Sequence, residues 1–460
     1  MAFVPATRPA VLADRLDATS GSGRVRVLIW QAIRELIPRE GVRLWIGYGP
    51  ESLRRLFPPH YVAEIGRIEQ TEAMPDRAHN ELLDALVAAG LFGAFGLVWL
   101  YGAVIVTALR VEDRARRAGL AGAAIAHVVE IPLGIATVMS RLLFAAVAGL
   151  AVAVHFPVSR PARGAAAPEP TAGAALLLAA SVGAISPMLS AAAFRSGPSL
   201  ATLVLYTAIG IATLVVARAV AARAQPRESA WPRAAVVGAT LVACVPVSVT
   251  PSRADGYAKA GRELGRIGRT AEAVLAYEQA VRLQPSQDAY LTGLGRALIQ
   301  HAQPLEGEPR DALLRRAGEV LGDAEGLNPQ DPHGPRNLAS LARIRARTAD
   351  ASARERLLAE ADLLYARATR LAPRLPALWA EWGNVDAERQ RFAEGRRKLE
   401  HATALDPAQP AAWVLLGQIY MVEGRPREAL AAYDEALRHE PSGEAASRGR
   451  AAALAAMGGR

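Results

Sequence analysis

Two patterns of apolar and polar positions divide the chain. From about Leu83 to Val249 apolar residues run in stretches long enough to cross a bilayer, whereas from Pro251 onward they return at helical spacing among Arg, Glu and Ala. The long stretches fall at Leu83–Leu109, Leu120–Met139, Leu142–Phe156, Ala172–Phe194, Leu200–Val220 and Ala234–Val249. Most are near or somewhat under the roughly twenty residues that a spanning helix needs, and the first is longer. Between Ala118 and Pro157 the formal charges are Glu130 and Arg141, and between Thr171 and Val216 there is Arg195 alone. Such depletion is rare in soluble helices. The pattern predicts an all-α chain: a polytopic transmembrane domain of about six spans, followed by a helical domain suited to water.

The loops between the stretches alternate in basic content. Arg110, Arg114, Arg116 and Arg117 follow the first, Arg160 and Arg163 the third, and Arg218, Arg223, Arg227 and Arg233 the fifth. Basic loops stay in the cytoplasm, which places the segment before Leu83 and everything after Thr250 on the opposite side.

The polar half is repetitive. Near its end stand Trp413, Leu416, Gly417, Tyr420, Gly424, Ala429, Tyr433, Ala436 and Pro441, and one repeat earlier Trp379, Gly383, Ala402 and Pro407, with Gln390 and Gly395 as weaker matches. The unit nearest the membrane half carries Tyr257, Gly261, Gly268, Ala273, Tyr277, Ala280 and Pro285. This pattern resembles the tetratricopeptide repeat, in which small residues let helix A pack closely on helix B and a proline closes the unit. The closing prolines Pro285, Pro329, Pro373, Pro407 and Pro441 are spaced 44, 44, 34 and 34 apart. The second and third units therefore carry about ten extra residues, expected between helices A and B near Gln303–Arg310 and Arg347–Arg354. Five repeats over residues 254–443 and a capping helix with tail over 444–460 make an α-solenoid. The signature positions are core residues, and a concave surface is left to bind a protein or peptide.

Composition narrows the function classes. The net charge of +9 comes mostly from Arg scattered over helix faces and membrane-flanking loops, without the aromatic interleaving of a nucleic-acid surface. Nucleic acid is not an expected partner. The single cysteine, Cys244, lies in an apolar stretch and excludes an intramolecular disulfide or a cysteine metal cluster. The histidines show no metal-ligand spacing, and no phosphate-cradling loop or dinucleotide fingerprint appears, so neither metal nor cofactor is expected. The first residues lack the unbroken apolar core of a signal peptide.

The segment 1–82 carries the candidate chemistry. Arg26 precedes Trp30, a Gly47-Tyr48-Gly49 turn is followed by Phe57, and His79-Asn80 is followed ten residues later by Gly90. In order and spacing these residues resemble the extracytoplasmic loop of the O-antigen ligase and polymerase family of bacterial membrane glycosyltransferases. The resemblance covers about Arg15 to Pro157, giving a loop over 1–82, ligase-like helices over 83–157, a cytoplasmic linker over 158–171 and further transmembrane helices over 172–250. Family members carry additional spans ahead of the loop, so the resemblance implies an upstream start, a fragment or a degenerate paralogue. It also implies a multi-pass protein of the bacterial inner membrane with periplasmic repeats. The activity it implies is transfer of a polyprenyl diphosphate-linked glycan to a lipid, sugar or protein hydroxyl. In the family the loop arginine and the histidine of the His-Asn pair are implicated in transfer, which carries over to Arg26 and His79.

The residue types suit that chemistry independently. Transfer needs a base for the acceptor proton and cations for the diphosphate leaving group. Imidazole is the side chain that exchanges a proton near neutral pH, and Arg26, Arg43 and Arg77 can fork onto phosphate oxygens. Asn80 reads as the N-cap of the following helix, and Gly47 and Gly49 as a tight turn. Gly93 stands where ligases of the family often have Thr. His127 and Glu130 lie one turn apart in the second span, either paired with each other or functional. A reading from a different class needs no chemistry: a membrane-anchored repeat scaffold for protein–protein interaction.

Overall fold

The computed structural model describes residues 17, 19–38, 40–50, 52–69, 74–130, 138–155 and 253–458, and the regular structure among them is helical. The fourth, fifth and sixth apolar stretches, the 158–171 linker and Cys244 lie outside the described residues.

The N-terminal loop is folded around the Gly21–Leu36 helix. Val25, Leu28, Ile29, Ala32, Ile33 and Leu36 recur every three or four positions and form its buried stripe. Short helices at Val42–Ile46, Leu53–Leu56 and Ala63–Ile68 wrap this stripe and bring Phe57, Tyr61 and Ile65 into the same core. That core is completed from the far end of the chain, because Ala368, Ala372, Leu375 and Leu378 belong to it. Leu375 and Leu378 are almost fully buried, each contributing roughly 2 kcal/mol of transfer free energy. Glu35 pairs with Arg374 at 2.9 Å and Arg67 with Asp406 at 3.5 Å. The segment expected as a separate loop over 1–82 thus shares its core with the third and fourth repeats.

The first apolar helix departs from expectation. Glu81–Leu109 is not one straight span, since Gly90 adopts φ 63°, ψ −159° and breaks it. The two arms fold back on each other. The Tyr101 hydroxyl donates to Glu81 at 2.6 Å, whereas twenty residues of straight helix would separate them by about 30 Å. A Cβ on Gly93 would lie 2.3 Å from the Ala89 Cβ and 3.1 Å from the Ala85 carbonyl oxygen. The expected Leu83–Leu109 span is therefore corrected to a short arm, Glu81–Ala89, and the uncharged arm Leu91–Leu109. The latter, nineteen residues long, reaches about 28 Å. The cause is backbone freedom: glycine enters the left-handed region without a Cβ penalty. Glu81–Leu109 is the one helix among the described residues long and apolar enough to cross a membrane.

The second and third stretches form the Arg114–Glu130 and Val138–His155 helices. They pack on the longer arm through Val104, Ala124, Phe144 and Val147, and through Ala108, Ala121 and Ala151. Small residues at such crossings let helices approach closely.

The repeats form helix pairs. Repeats one and two comprise residues 253–266 with Thr270–Leu283, and Asp288–Ala302 with Gly307–Leu327. Repeats three to five comprise His333–Ala346 with Ala351–Leu371, Pro376–Glu388 with Phe392–Leu405, and Pro410–Val422 with Pro426–His439, closed by the Glu444–Gly458 helix. Packing follows the signature. Tyr277 fills the space that side chains on Gly261 and Gly293 would occupy, and Tyr433 does the same at Gly417 and Gly449. The extra residues of repeats two and three fall where helix A gives way to helix B, as expected, and are taken up largely as added length of helix B. Their B helices are 21 residues long, against 14 in repeats one and four. The second added stretch, from Ala351, is rich in Ala, Arg and Glu, and Asp350 caps it by accepting from the Ala353 amide at 2.8 Å. The first begins Gly307-Glu308-Pro309, with its proline within the first turn, where no intrahelical donor is lost.

Candidate functional site

The bend at Gly90 organises the loop residues singled out by sequence. Gly47 and Gly90 cross backbone to backbone. A Cβ on Gly47 would meet the Ala88 carbonyl carbon and the Ala89 and Gly90 amides at 2.6 Å, and one on Gly90 would meet the Trp45 carbonyl carbon at 2.4 Å. At this crossing the Tyr48 and Gly49 amides donate to the Val87 and Ala88 carbonyls, both at 2.9 Å, and so satisfy acceptors that the broken helix leaves open. Arg43 donates to the Gly47 carbonyl at 3.1 Å, and its guanidinium stands 5.8 Å from the Tyr48 ring centre.

The other end of the short arm holds His79. Asn80 caps the helix, as expected, accepting from the Leu83 amide at 3.1 Å. The Trp30 indole donates to the Ala78 carbonyl at 2.8 Å, which brings the Gly21–Leu36 helix against the His79 turn. Arg26 lies one helical turn before Trp30 and shares its face. The Ala78 amide donates to Asp84 at 2.8 Å, and Arg77, His79 and Arg141 all act electrostatically on that carboxyl group. His79 takes φ 54°, a left-handed conformation uncommon for a residue with a Cβ. Its Nδ1 is buried with no hydrogen-bond partner. Strained backbone and an unsatisfied buried polar atom are both costly, and they gather at functional positions.

Arg77 and His79 thus stand beside Asp84, and the helix face that carries Arg26 and Trp30 is held to the same turn through the Ala78 carbonyl. Arg43 is at the Gly90 end of the Glu81–Ala89 arm, about 13 Å along the helix from His79.

Sequence reasoning missed an adjoining polar cluster. Glu81, 11% exposed, binds Arg141 at 3.0 Å and the Tyr101 hydroxyl, tying the short arm to both neighbouring helices. The available signal was Arg141, a lone charge in an apolar stretch. His127 is buried and stacks on Phe144 at 4.6 Å with Tyr101 edge-on at 5.9 Å, while Glu130 is exposed. The structure places this histidine among aromatic rings rather than in a carboxylate pair.

In the repeats, polar side chains converge between repeats three and four. Asp386 is fully buried and pairs with Arg391 and Lys398. Asp362 accepts from the Trp382 indole at 2.6 Å and from Arg389 and Arg391 at 2.7 Å. Burial raises the Asp362 carboxyl, but the bonds from Trp382 and Arg391 outweigh it and hold the group below its ordinary value. Lys398 stands 3.6 Å from the Trp382 ring centre. Between repeats four and five, Thr403, Ala404, Pro407, Trp413, Leu416 and Tyr420 line an open cleft. Among the described residues no group of three or more His, Cys, Asp and Glu side chains could hold a metal ion.

Comparison with known proteins agrees with the repeats. Residues 254–287 and residues 410–442 each match a family model described as tetratricopeptide repeat. Among solved structures the chain is similar to TTC0263, a thermophilic TPR protein of Thermus thermophilus, with 25% identity over 44% of this chain and 98% of that one, at a TM-score of 0.37. It is also similar to MamA from Desulfovibrio magneticus RS-1, with 16% identity over 42% and 97% of the two chains and a TM-score of 0.33. YrrB, a TPR protein with an unusual peptide-binding site, aligns at 16% identity over 42% and 89%, with a TM-score of 0.30. No curated protein matches the chain. The C-terminal half is an array of tetratricopeptide repeats, a protein suited to protein–protein interaction.

Proposed function

We propose that the chain is a membrane protein of O-antigen ligase type, in which the N-terminal loop transfers a polyprenyl diphosphate-linked glycan to a hydroxyl and the repeats hold a protein partner beside it. The carrying observation is His79: strained, buried at Nδ1 without a partner, and two residues from Arg77 on a turn to which Trp30, one helical turn after Arg26, donates a hydrogen bond at Ala78. In the transfer, His79 takes the proton of the acceptor hydroxyl as its oxygen bonds to the anomeric carbon. The anomeric C–O bond to phosphate breaks, and the polyprenyl diphosphate leaves with the electron pair. Arg26 and Arg77 hold the diphosphate and offset its growing charge. Arg43, tied to the Gly47 turn, has a structural part.

The core shared by the loop and repeats three and four supports the sidedness of this reading. Segments that share a core lie on one side of a membrane, which an even number of intervening spans allows, as six would. The basic loops then make that side extracytoplasmic, periplasmic in a bacterial inner membrane.

Replacing His79 by Ala, and separately Arg26 by Ala, tests the assignment through the surface glycan. Loss of glycan assembly at unchanged membrane abundance is expected. Undiminished glycan in His79→Ala would overturn the role.

A second reading rests on the repeats alone. If the chain is a scaffold without chemistry, both variants keep full biological activity, while changes in the repeat surface abolish it.

A further inference from the structure

The five-residue helix Val42–Ile46 exposes Val42 (65%), Trp45 (49%) and Ile46 (49%), residues at positions i, i+3 and i+4 and so on one face. None of its residues is buried, which is unusual for so apolar a stripe in a loop that elsewhere closes its core well. The stripe is continuous with a second apolar row. The Trp45 and Phe92 rings stand 5.4 Å apart. From Phe92 the exposed apolar positions continue down the uncharged arm through Phe95, Val98, Trp99, Val106 and Leu109. The join is rigid, since the Gly47–Gly90 crossing fixes the short helix on the arm at Trp45 and Ile46.

We infer that the Val42–Ile46 helix is a lipid-inserted wedge: Val42, Trp45 and Ile46 enter the bilayer beside Phe92, at the Gly90 end of the Leu91–Leu109 arm. The occupant of this face is bilayer lipid. Its row of apolar side chains runs without a break into the uncharged Leu91–Leu109 arm. Tryptophan is the side chain enriched where apolar surface meets headgroups. Arg43, exposed on the same short helix, offers a cation at headgroup level. A short amphipathic element of this kind binds through buried apolar area together with charge. The inference rests on the membrane reading of the arm.

The test labels single cysteines in the full chain carrying Cys244→Ser, reconstituted in phosphatidylethanolamine–phosphatidylglycerol vesicles. An environment-sensitive dye is placed at Trp45→Cys, at Trp99→Cys on the arm, and at exposed Glu69→Cys as an aqueous reference. The wedge predicts blue-shifted emission at positions 45 and 99, both quenched by spin-labelled lipid and protected from iodide, with the reverse at position 69. If position 99 meets lipid but position 45 behaves like position 69, the wedge is wrong and the membrane reading stands. If neither meets lipid, both fall. Native Trp45 gives a measurement free of labelling: quenching by brominated lipid should be greater for the unlabelled chain than for Trp45→Phe, and equal quenching would also overturn the wedge.

Discussion

Gly47 and Gly90 tolerate no side chain, because each would push a Cβ into the other strand of backbone and both sit at positive φ. Gly90→Ala is expected to cost about 2 kcal/mol or more, read as a lower thermal midpoint in detergent and faster proteolysis of the loop. Gly96→Ala, where a Cβ meets nothing within 4 Å, is expected to leave both unchanged. Asp386 makes a similar demand of another kind. Removing a buried carboxylate that two cations share leaves Asp362 alone to balance Arg391 and Lys398, so Asp386→Ala is expected to lose about 3 kcal/mol in urea unfolding. A loss near zero would mean that water replaces the carboxylate. At this scale the sequence was readable where one residue has one task, as with Asn80 as cap. It was less readable at Gln390, a weak match to the signature glycine, which adopts φ 60° and fills the role of Gly424 one repeat later despite its Cβ.

Among elements, the docking of the Gly21–Leu36 helix on repeats three and four joins apolar burial to a titratable pair. A hydrogen bond from Arg374, then one from His60, holds Glu35 below the ordinary glutamate value. A depressed acid stabilises the fold at pH above its unfolded value, and that contribution is lost as pH falls through the lowered one. The difference in thermal midpoint between the native chain and Glu35→Gln is therefore expected at neutral pH, expected to shrink once pH falls below the ordinary glutamate value, and expected to vanish below the lowered one. Both partners are about half exposed, so the effect is small and fades with salt. A difference that persists unchanged at low pH would assign the stabilisation to packing alone. The helical pairs were legible because their periodicity and closing prolines are local. The bend at Gly90 was not, since a glycine in an apolar run looks the same whether the helix continues or folds back. Only the distant Gly47 turn and the Glu81–Tyr101 bond distinguish the two. Gly93 shows the same limit, being small because Ala85 and Ala89 lie against it across the bend.

At the scale of the molecule, the loop and repeats three and four are one folded unit, and the residues assigned to transfer lie where that unit meets the apolar helices. Under the proposed function, partner binding on this part of the array is therefore linked to the proposed chemistry of the loop through the shared core. The measurement closest to the central claim is release of polyprenyl diphosphate from a polyprenyl diphosphate-linked glycan by the full chain in proteoliposomes, with a hydroxyl acceptor supplied. The account predicts acceptor-dependent release by the native chain and its loss in His79→Ala at equal reconstitution. Equal release by the two proteins, or none by either with a proven donor and acceptor, would contradict it.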